Sequence, residues 1–420
     1  MSTSLCQTNE ELSAKIEDQE TVINALRLSE LAQSMSQRSL LMPSYQSELK
    51  ALVAKQAYDF WKNSEETYVS HLNIYLALYY GNKYLNNEDD RTPFNRVIGH
   101  SESVVSIQFG NEPNIFYSAG SDGKVLKWDL NNLENVPSVI YEGPYLIRSL
   151  DISHDGKWVL VVTKDKGVVL IALEDLQSES GGIAYDPEPV QSAVFFPNEL
   201  KYLTVNEQGE IKIKGYAVDL PEVGKVNSRV NVLAIKSDDN DIYAGLENGQ
   251  LLVFGDPEVN EIHGKSPFAI NALAISPDRK LLIIGRELGD AIIWDIEKKE
   301  VVRTISGHQS AVTDVDFHPT EAKVLTASRD GTVKIWDTFN SKKLPQVLDD
   351  HFSWVLTASF DPSGNEVISG SADNYIRVWP IEPSVLADRI CELITRNLTQ
   401  EEWNEYVGAS IPYRKTCDIE

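Results

Sequence analysis

The residues that could do chemistry are few, and their spacing fits no catalytic or metal-binding pattern. Segment 264–266 (GKS) matches the end of a phosphate-binding loop, but the pattern G-x-x-x-x-G-K-[ST] needs a glycine where this chain has Val259. The adjacent carboxylates at 238–239 and 349–350 fall in loops, where solvated turns explain them. The seven histidines include no H-E-x-x-H set, so we expect no metal and no cofactor.

Charge and cysteine content exclude several classes of function. The 420 residues carry 38 Lys+Arg against 63 Asp+Glu, a formal net charge of −25. Such a surface repels phosphate backbones and anionic lipids, so we expect neither nucleic acid nor a membrane as partner. Cys6, Cys391 and Cys417 are odd in number and far apart, which argues against a disulfide framework or a zinc site and favours a reducing cytoplasm. The polar, acidic first twenty residues do not read as a signal peptide.

A repeat runs from about residue 94 to about residue 380. Its clearest part is an alternating apolar segment, whose seven copies start 43, 43, 40, 40, 42 and 43 residues apart at Val104, Ile147, Val190, Val230, Ile270, Val312 and Val355. A turn-rich cluster and a second apolar run follow, which is typical of antiparallel strands. A period of this length predicts a repeat architecture.

Each copy also has a tight turn and a bulky position at fixed spacing. The turn residues, which tolerate positive φ, are Gly123, Gly167, Gly209, Gly249, Gly289, Gly331 and Asn374. Five residues after each turn stand Trp128, Ala172, Lys214, Phe254, Trp294, Trp336 and Trp379. Each copy therefore holds three strands and a more variable fourth.

Single sheets of this size cannot bury both faces, so radial packing is expected. We predict an all-β seven-bladed propeller over residues 91–382, an N-terminal helical segment over 1–90 and a short helical tail over 383–420. The seventh copy turns helical after Pro380 and lacks a fourth strand. Residues 94–98 are predicted to supply that strand and to close the ring non-covalently.

The best copies resemble the WD40-repeat family. Segment Gly307–Asp337 begins with GH and ends with WD, and Gly99–Asp129 has both dipeptides as well. The seventh copy reads DH and WP, the fifth keeps WD alone, and copies two to four keep only the strand pattern. The resemblance covers about 290 of the 420 residues, and it implies a fold without implying an activity.

The resemblance also implies a buried hydrogen-bonded network in each blade that keeps the signature. Its His, Asp, Ser/Thr and Trp positions here are His100, Asp122, Ser118 and Trp128; His308, Asp330, Thr326 and Trp336; and His351, Asp373, Ser369 and Trp379. A catalytic triad is the alternative interpretation. Threefold repetition and the absence of a G-x-S-x-G turn favour a structural role, so no catalytic residue is expected.

Both flanks read as helical. Apolar periodicity predicts a polar first helix from about Asn9 to Arg38, a second after Pro43 and a third from about Ser64 to Gly81. The first helix has near-heptad apolar spacing, and it either reaches for a partner or is an end that packs on the propeller or frays.

The C-terminal tail is predicted to fold back. Ser384 opens a helix, and the pattern T-x-x-E at Thr399 predicts a capping box for a second short helix that ends at Gly408. The aromatic and apolar residues after Thr399 should dock on a blade or on the N-terminal helices.

This tail and the preceding helices are similar to the C-terminal region of large bacterial signalling proteins. In those proteins a helical segment and a WD40 propeller follow a STAND-class NTPase or a caspase-like effector. The resemblance, carried by LTQEEWNEYVGASIPYRKTC, implies a regulatory role toward an effector domain or subunit that contacts the N-terminal helices. No NTPase or peptidase motif is present, so the chain is either a piece of a longer protein or a separately encoded sensor subunit.

One loop stands out as a candidate contact surface. In similar propellers the loops that enter the first strand of each blade are the usual site of contact, and here one of them holds Phe352 and Trp354. Two aromatics in one loop are typical of a binding hot spot, although Trp354 could instead pack inward. Arg286, Arg329 and Tyr145 are expected to complete this face and to favour an acidic or backbone-carbonyl partner.

Three functions remain open from the sequence. The first is a non-enzymatic protein–protein interaction scaffold or sensor, and the second is regulation of an effector. The third is a propeller hydrolase or lyase with a site in the central channel, for which the innermost strands offer only Asp151, Asp314 and Asp316. We expect the first function, with protein partners, in the cytoplasm.

Overall fold

The chain divides near Phe94 and again near Trp379. The computed structural model describes residues 2–64, 72–85, 95–174, 183–196, 201–206, 209–215, 219–225, 232–237, 241–254, 260–263 and 268–419. Residues Asn95–Trp379 form one compact unit, here the propeller unit. Residues Met1–Phe94 and Pro380–Glu420 form a second, here the helical unit. The GKS segment at 264–266 and the carboxylates at 238–239 lie outside the described residues.

Within its described residues the helical unit contains five helices: α1 (Ser2–Leu41), α2 (Ser47–Lys62), α3 (Leu72–Leu85), α4 (Pro383–Leu393) and α5 (Gln400–Trp403). A 3₁₀ turn, Ser44–Gln46, separates α1 from α2, and a π turn, Asn404–Gly408, follows α5. Helix α3 continues beyond Gly81, so the predicted end at that glycine is wrong. A Cβ on Gly81 would lie 3.1 Å from the Cα of Ala51, so this glycine permits close packing of α3 on α2.

Buried polar contacts fix the turn between α1 and α2. The Lys50 ammonium donates to the carbonyls of Ser39, Leu40 and Met42, at 2.7, 3.1 and 3.1 Å. The carbonyls of Ser39 and Leu40 are among the last of α1, which have no partner within the helix, and that of Met42 follows the helix. A cation at a helix C-terminus also interacts favourably with the helix dipole. Burial lowers the pKa of Lys50 to about 8, so the side chain still carries its charge at pH 7.

The tail packs on the N-terminal helices. Trp403 is fully buried, with its ring 6.2 Å from that of Phe60 in α2. Arg396 bridges Glu48 of α2 and Glu402 of the tail, at 3.1 and 2.7 Å. The predicted capping box is confirmed, because Thr399 and Glu402 exchange backbone and side-chain hydrogen bonds.

The cysteine prediction is wrong for two of the three residues. Cys391 in α4 and Cys417 near the chain end form a disulfide, with Cα atoms 5.5 Å apart. Their 26-residue separation in sequence was a poor guide because the tail folds back on α4.

Twenty-eight strands are described, of which β1 (Arg96–Val97) precedes the repeats. Sheets one to three contain β2 (Val104–Phe109), β3 (Ile115–Gly120), β4 (Lys124–Asp129), β5 (Ser138–Glu142); β6 (Ile147–Ile152), β7 (Trp158–Thr163), β8 (Gly167–Ala172), β9 (Ile183–Asp186); and β10 (Ser192–Phe195), β11 (Lys201–Val205), β12 (Glu210–Gly215), β13 (Asp219–Lys225). Sheets four and five contain β14 (Val232–Ser237), β15 (Ile242–Leu246), β16 (Leu251–Phe254), β17 (Asn260–His263); and β18 (Ile270–Ile275), β19 (Leu281–Arg286), β20 (Asp290–Asp295), β21 (Glu300–Ser306). Sheets six and seven contain β22 (Val312–Phe317), β23 (Lys323–Ser328), β24 (Val333–Asp337), β25 (Gln346–Leu348); and β26 (Val355–Phe360), β27 (Glu366–Ser371), β28 (Ile376–Pro380), with β1.

These strands pair as seven four-stranded antiparallel sheets. The first strand of each repeat contacts that of the next repeat, and β26 contacts β2, so the innermost strands form a closed ring. The architecture is an all-β propeller, as the repeats predicted. Its core is distributed, because each hydrophobic cluster joins two neighbouring sheets rather than filling one centre.

Strand β1 occupies the outer edge of the seventh sheet. Arg96 pairs with Arg377 and Val97 with Ile376, in antiparallel register. Asn95 adds two bonds, since its carbonyl accepts from Val378 N and its side chain from Arg377, both at 2.9 Å. The ring is thus shut by a segment from ahead of the first repeat.

Candidate functional site

The first sheet shows how a signature network is built. His100 Nδ1 lies 3.0 Å from the carboxylate of Asp122, and His100 Nε2 lies 2.8 Å from Ser118 Oγ. Trp128 Nε1 donates to the same hydroxyl at 2.8 Å. The histidine comes from the loop before β2, the serine from β3, the tryptophan from β4 and the aspartate from the β3–β4 turn. The network therefore joins the inner three strands at one end of the sheet.

The sixth and seventh sheets repeat this geometry. His308 contacts Asp330 at 2.8 Å and Thr326 at 2.7 Å, and Trp336 Nε1 donates to the Thr326 hydroxyl at 2.9 Å. In the seventh sheet the same three contacts join His351, Asp373, Ser369 and Trp379 at 2.8–3.0 Å. The structure thus brings together all twelve residues that the family resemblance assigned to these networks.

The order of donors assigns the protons. Tryptophan Nε1–H can only donate and an ionised carboxylate can only accept, so the hydroxyl proton points to histidine Nε2 and the histidine proton sits on Nδ1. A Ser-His-Asp catalytic triad shares this order. Here, however, the hydroxyl already accepts a hydrogen bond from the tryptophan, and Ser118, Thr326 and Ser369 are at most 1% exposed. A substrate carbonyl has no access to any of them, which favours the structural interpretation.

Burial and hydrogen bonding set the charges of the seventh network. Burial lowers the pKa of His351, which outweighs the opposing effect of Asp373. Burial alone would raise the pKa of Asp373, but hydrogen bonds from His351 and from the amides of Phe352 and Tyr375 lower it to about 2. At neutral pH the histidine is neutral and the carboxylate is charged.

The network also holds the candidate contact loop. Phe352 N donates to Asp373 at 3.0 Å, and the Trp354 carbonyl accepts from Ala372 N at 2.9 Å. The turn beyond it contains Asn374 with φ +73°, where the first and sixth sheets have glycine. Each aromatic residue thus has one anchored backbone group, so the loop presents Phe352 and Trp354 in a fixed arrangement.

Phe352 and Trp354 point outward rather than into the propeller. Their exposed fractions are 62% and 54%. The Arg329 guanidinium lies 5.4 Å from the Trp354 ring centre, and its Nη1 lies 3.3 Å from Glu287 of the fifth sheet. The Arg377 guanidinium lies 5.6 Å from the Phe352 ring centre. We call Glu287, Arg329, Phe352 and Trp354 the aromatic patch.

Two of the expected contact residues make other contacts. Arg286 forms an ion pair with Asp290 of its own hairpin, with Nε 2.9 Å from the carboxylate, and its side chain is 15% exposed. Tyr145 is half-buried beneath Lys166 in the second sheet. The first sheet lies between the second sheet and the seventh, which holds Trp354. The residue that sequence reasoning missed is Glu287, and its only signal was its position beside Arg286 in a turn one repeat before Arg329.

The three aspartates on the innermost strands are engaged between sheets. Asp314 accepts from Ala358 N at 3.1 Å and from the Thr357 hydroxyl at 2.9 Å. Asp316 accepts from Phe360 N at 3.0 Å, and Asp151 accepts from Phe195 N at 2.7 Å. Burial raises the pKa of Asp316 to about 6. Each carboxylate ties one sheet to the next, a role that explains its burial without chemistry.

The propeller unit also has a concave feature, at the ends of the strands opposite to the aromatic patch. A cavity of about 260 Å³ between the fifth and sixth sheets is lined by residues that include Ser276, Asp278, Phe317, His318 and Phe339.

Among the described residues no group of three or more His, Cys, Asp or Glu side chains could hold a metal ion. Within the same ranges, no helix combines the length and apolar character needed to cross a bilayer.

Comparison with protein families identifies the repeat. The model described as "WD domain, G-beta repeat" matches residues 91–129, 299–337 and 342–380. These segments hold the three complete networks and belong to the first, sixth and seventh sheets, which are neighbours in the ring. WD40 repeats in a propeller arrangement support assignment to a WD40 family.

Several curated proteins are similar to part of this chain. The "66 kDa stress protein" of Physarum polycephalum is 26% identical over 267 residues, which cover 62% of this chain and 43% of that protein. The human "Serine-threonine kinase receptor-associated protein" is 19% identical over 58% of this chain and 69% of its own length. "Eukaryotic translation initiation factor 3 subunit I" of Dictyostelium discoideum is 23% identical, over 58% of this chain and 64% of its own length. The match to the Physarum protein thus spans less than half of that protein.

Proposed function

We propose that this chain is a non-enzymatic protein-interaction scaffold that binds a protein partner through the aromatic patch. The observation that carries the proposal is the outward position of Phe352 and Trp354 in a loop that the seventh network anchors. Aromatic and arginine side chains dominate binding energy at protein interfaces. A loop fixed before binding loses little conformational entropy on association.

The relatives agree with an assembly role. One is named for association with a receptor and another as a subunit of an initiation factor. These names describe those proteins, and for this chain they support the class of function only.

The geometry suggests what the partner offers. Trp354 and Phe352 provide two apolar surfaces, each backed by an arginine. The Arg329 side chain is 40% exposed and forms an ion pair with Glu287. A partner with an apolar side chain for Trp354 and a carbonyl or carboxylate for Arg329 fits this arrangement. Because this chain is strongly acidic, it repels a partner surface with one carboxylate less than a surface with several.

The proposal is tested by affinity capture from the native host with quantitative mass spectrometry. Wild-type protein is compared with the Trp354→Ala and Arg329→Glu variants. Phe339→Ala is the matched control, because Phe339 is an equally exposed aromatic at the other ends of the strands. All four proteins should show the same thermal unfolding, since these side chains lie at the surface.

Proteins captured by the wild type and by Phe339→Ala, but lost from both patch variants, are the predicted result. Equal capture by all four proteins, or loss with Phe339→Ala alone, would show that the patch does not bind.

A second candidate is regulation of an effector, in the same polypeptide or a neighbouring one. The observation in its favour is that the N-terminal helices and the tail form one compact helical unit, a natural attachment point. The relatives named above are eukaryotic, so a bacterial STAND or caspase-like context has no support from them. Capture of an NTPase or peptidase through the helical unit would favour this candidate.

The proposal includes absence of catalysis and a cytoplasmic location. The inter-sheet bonds of Asp151, Asp314 and Asp316 support the first point, and turnover in a hydrolase or lyase screen would contradict it. The second point rests on composition, and the Cys391–Cys417 pair makes it testable, because disulfides are rare in the reducing cytoplasm. A Cys391–Cys417 bond that persists in protein isolated under thiol-trapping conditions would contradict the cytoplasmic location.

A further inference from the structure

Helix α1 is much longer than the helices that pack on it. Its 40 residues span about 60 Å at the rise of an α-helix. The 16 residues of α2 and the 14 of α3 span only about 24 and 21 Å. Neither helix can cover α1 along its whole length.

The described side chains show which face of α1 packs within the helical unit. Its buried face consists mainly of small residues at alternating steps of four and three: Ala25, Ser29, Ala32, Ser36 and Ser39. Ile23 and Leu26, which lie off this row, are 50% and 39% exposed. Two residues along a helix turn by about 200°, so Ile23 lies on the side opposite Ala25. Ile23 and Leu26 therefore begin an apolar stripe outside the face of α1 that is buried within the helical unit.

The sequence continues this stripe toward the N-terminus in heptads. With Ile23 at position a, the other a positions are Asn9 and Ile16, and the d positions are Leu5, Leu12, Gln19 and Leu26. β-Branched residues at a with leucine at d favour a parallel two-stranded coiled coil, and a single asparagine at a fixes register. The next a position is Glu30, so the apolar pattern stops within the region where Ala25 and Ser29 are already buried.

The charge pattern is complementary to itself. Lys15 occupies a g position and Glu20 the e position five residues later. In a parallel pair of identical helices in register, g of one helix faces e of the other at this spacing. Lys15 of each helix would then face Glu20 of the other, so both pairs would join opposite charges. An antiparallel pair would instead set Asn9 against the apolar residues near Ile23 and bury it without a partner.

We propose that residues 5–26 of α1 form a parallel two-stranded coiled coil with a second copy of this chain. The occupant is a second copy because Asn9 meets Asn9 and Lys15 meets Glu20 when the same sequence is paired in register. Dimerisation would also place two aromatic patches in one molecule, which raises avidity for a partner with two binding sites. The proposal does not depend on the proposed function of the patch.

The test is sedimentation velocity of the full chain over a dilution series. Ile23→Glu with Leu26→Glu places charge in the stripe, and both side chains are exposed in the single chain, so folding should be unaffected. Asn24→Glu, which adds the same charge at an exposed b position, is the matched control. Thermal unfolding by circular dichroism verifies that all variants fold.

The wild type and Asn24→Glu should be dimers that dissociate on dilution, and the double variant should be a monomer. A wild type that is monomeric at every concentration overturns the proposal. So does a trimer, or a dimer that the double variant leaves intact.

Orientation has its own readout. In a Cys6→Ser background, Asn9→Cys should give a covalent dimer on mild oxidation, because equivalent a positions meet in a parallel coiled coil. If instead Asn9→Cys crosslinks only when mixed with an Ile23→Cys variant, the pair is antiparallel and the proposed arrangement is wrong.

Discussion

At the scale of single residues, the hydroxyl at the centre of each network is the critical group. The Thr326 hydroxyl accepts a hydrogen bond from Trp336 Nε1 and contacts His308, and the side chain is almost fully buried. Without that hydroxyl a buried N–H loses its acceptor, which costs about 1–3 kcal/mol. The isosteric change that removes it keeps the packing, so polarity and volume can be separated at this site.

We therefore expect Thr326→Val to lower the free energy of unfolding by about 2 kcal/mol. Thr326→Ser keeps the hydroxyl and loses one methyl, so its cost should be about 1 kcal/mol. The serines at the same place in the first and seventh sheets show that the shorter side chain is compatible. Urea unfolding followed by tryptophan fluorescence gives both values, and a smaller loss for valine than for serine would contradict the assigned role.

The seventh network should make stability depend on acid pH. The pKa of Asp373 is about 2 in the folded chain and about 3.9 in an unfolded chain. Because the folded value is the lower one, this contribution is complete above the unfolded pKa and is lost as pH falls through about 2. One pKa unit is worth about 1.4 kcal/mol, so Asp373→Asn should cost about 2 kcal/mol at pH 7 and progressively less below pH 4.

Denaturant midpoints measured between pH 7 and pH 3 test this prediction. Asp165→Asn, in an exposed turn of the second sheet, is the control and should show no such trend. A constant difference between Asp373→Asn and the wild type at all pH values would mean that the carboxylate charge is not what stabilises the loop.

At the scale of elements, side chains on the innermost strands tie several sheets to their neighbours. Six of the seven innermost strands have a register shift after their first residue. Such bulges redirect a side chain. In two of them the extra residue donates to the next sheet: Asn271 Nδ2 to the Val312 carbonyl at 3.2 Å, and Thr313 Oγ1 to the Val355 carbonyl at 2.7 Å. The bulge thus converts a strand residue into a link between sheets.

Removal of one such link should weaken the whole ring. Asp314→Ala leaves Ala358 N and the Thr357 hydroxyl without this acceptor, so we expect a loss of about 2–3 kcal/mol in the free energy of unfolding. Asp165→Ala, away from any sheet boundary, should change it by less than about 0.5 kcal/mol. Equal effects of the two substitutions in urea titrations would refute the inter-sheet role.

The tail disulfide belongs to the helical unit alone. Cys391 and Cys417 join α4 to the chain end, and a bridge over a loop of this length contributes about 2–4 kcal/mol where it forms. Cys417→Ser should therefore lower the unfolding temperature of the helices under oxidising conditions and change nothing under reducing ones. Intact mass before and after reduction verifies the bond, and an unchanged mass would show that the thiols stay free.

At the scale of the whole molecule, the complete networks lie in three consecutive sheets of the ring. The sixth, seventh and first sheets surround the place where β1 shuts the ring without a covalent link, and the aromatic patch lies in the same region. Sheets two and three have Ala172 and Lys214 where these sheets have tryptophan, and Lys214 forms ion pairs with Asp186 and Glu188 instead. The signature residues thus reinforce the non-covalent closure and fix the loop beside it.

Periodic features were predictable from the sequence. The apolar segments, the turn glycines and the GH and WD dipeptides recur at fixed spacing, so they indicated the strands and the propeller. Contacts made once were not predictable, because no period marks them. The pairing of Arg286 with Asp290, the approach of Glu287 to Arg329 and the Cys391–Cys417 bond all depend on where the chain folds back.

The central claim is that a protein partner binds at the aromatic patch, and hydrogen–deuterium exchange measures it most directly. The chain is compared alone and with a partner captured by the wild type. We predict slower exchange in the loop His351–Val355 and in the turn at Arg329. Protection confined to the turns around Phe317 and Phe339, with unchanged exchange in the loop, would contradict the account.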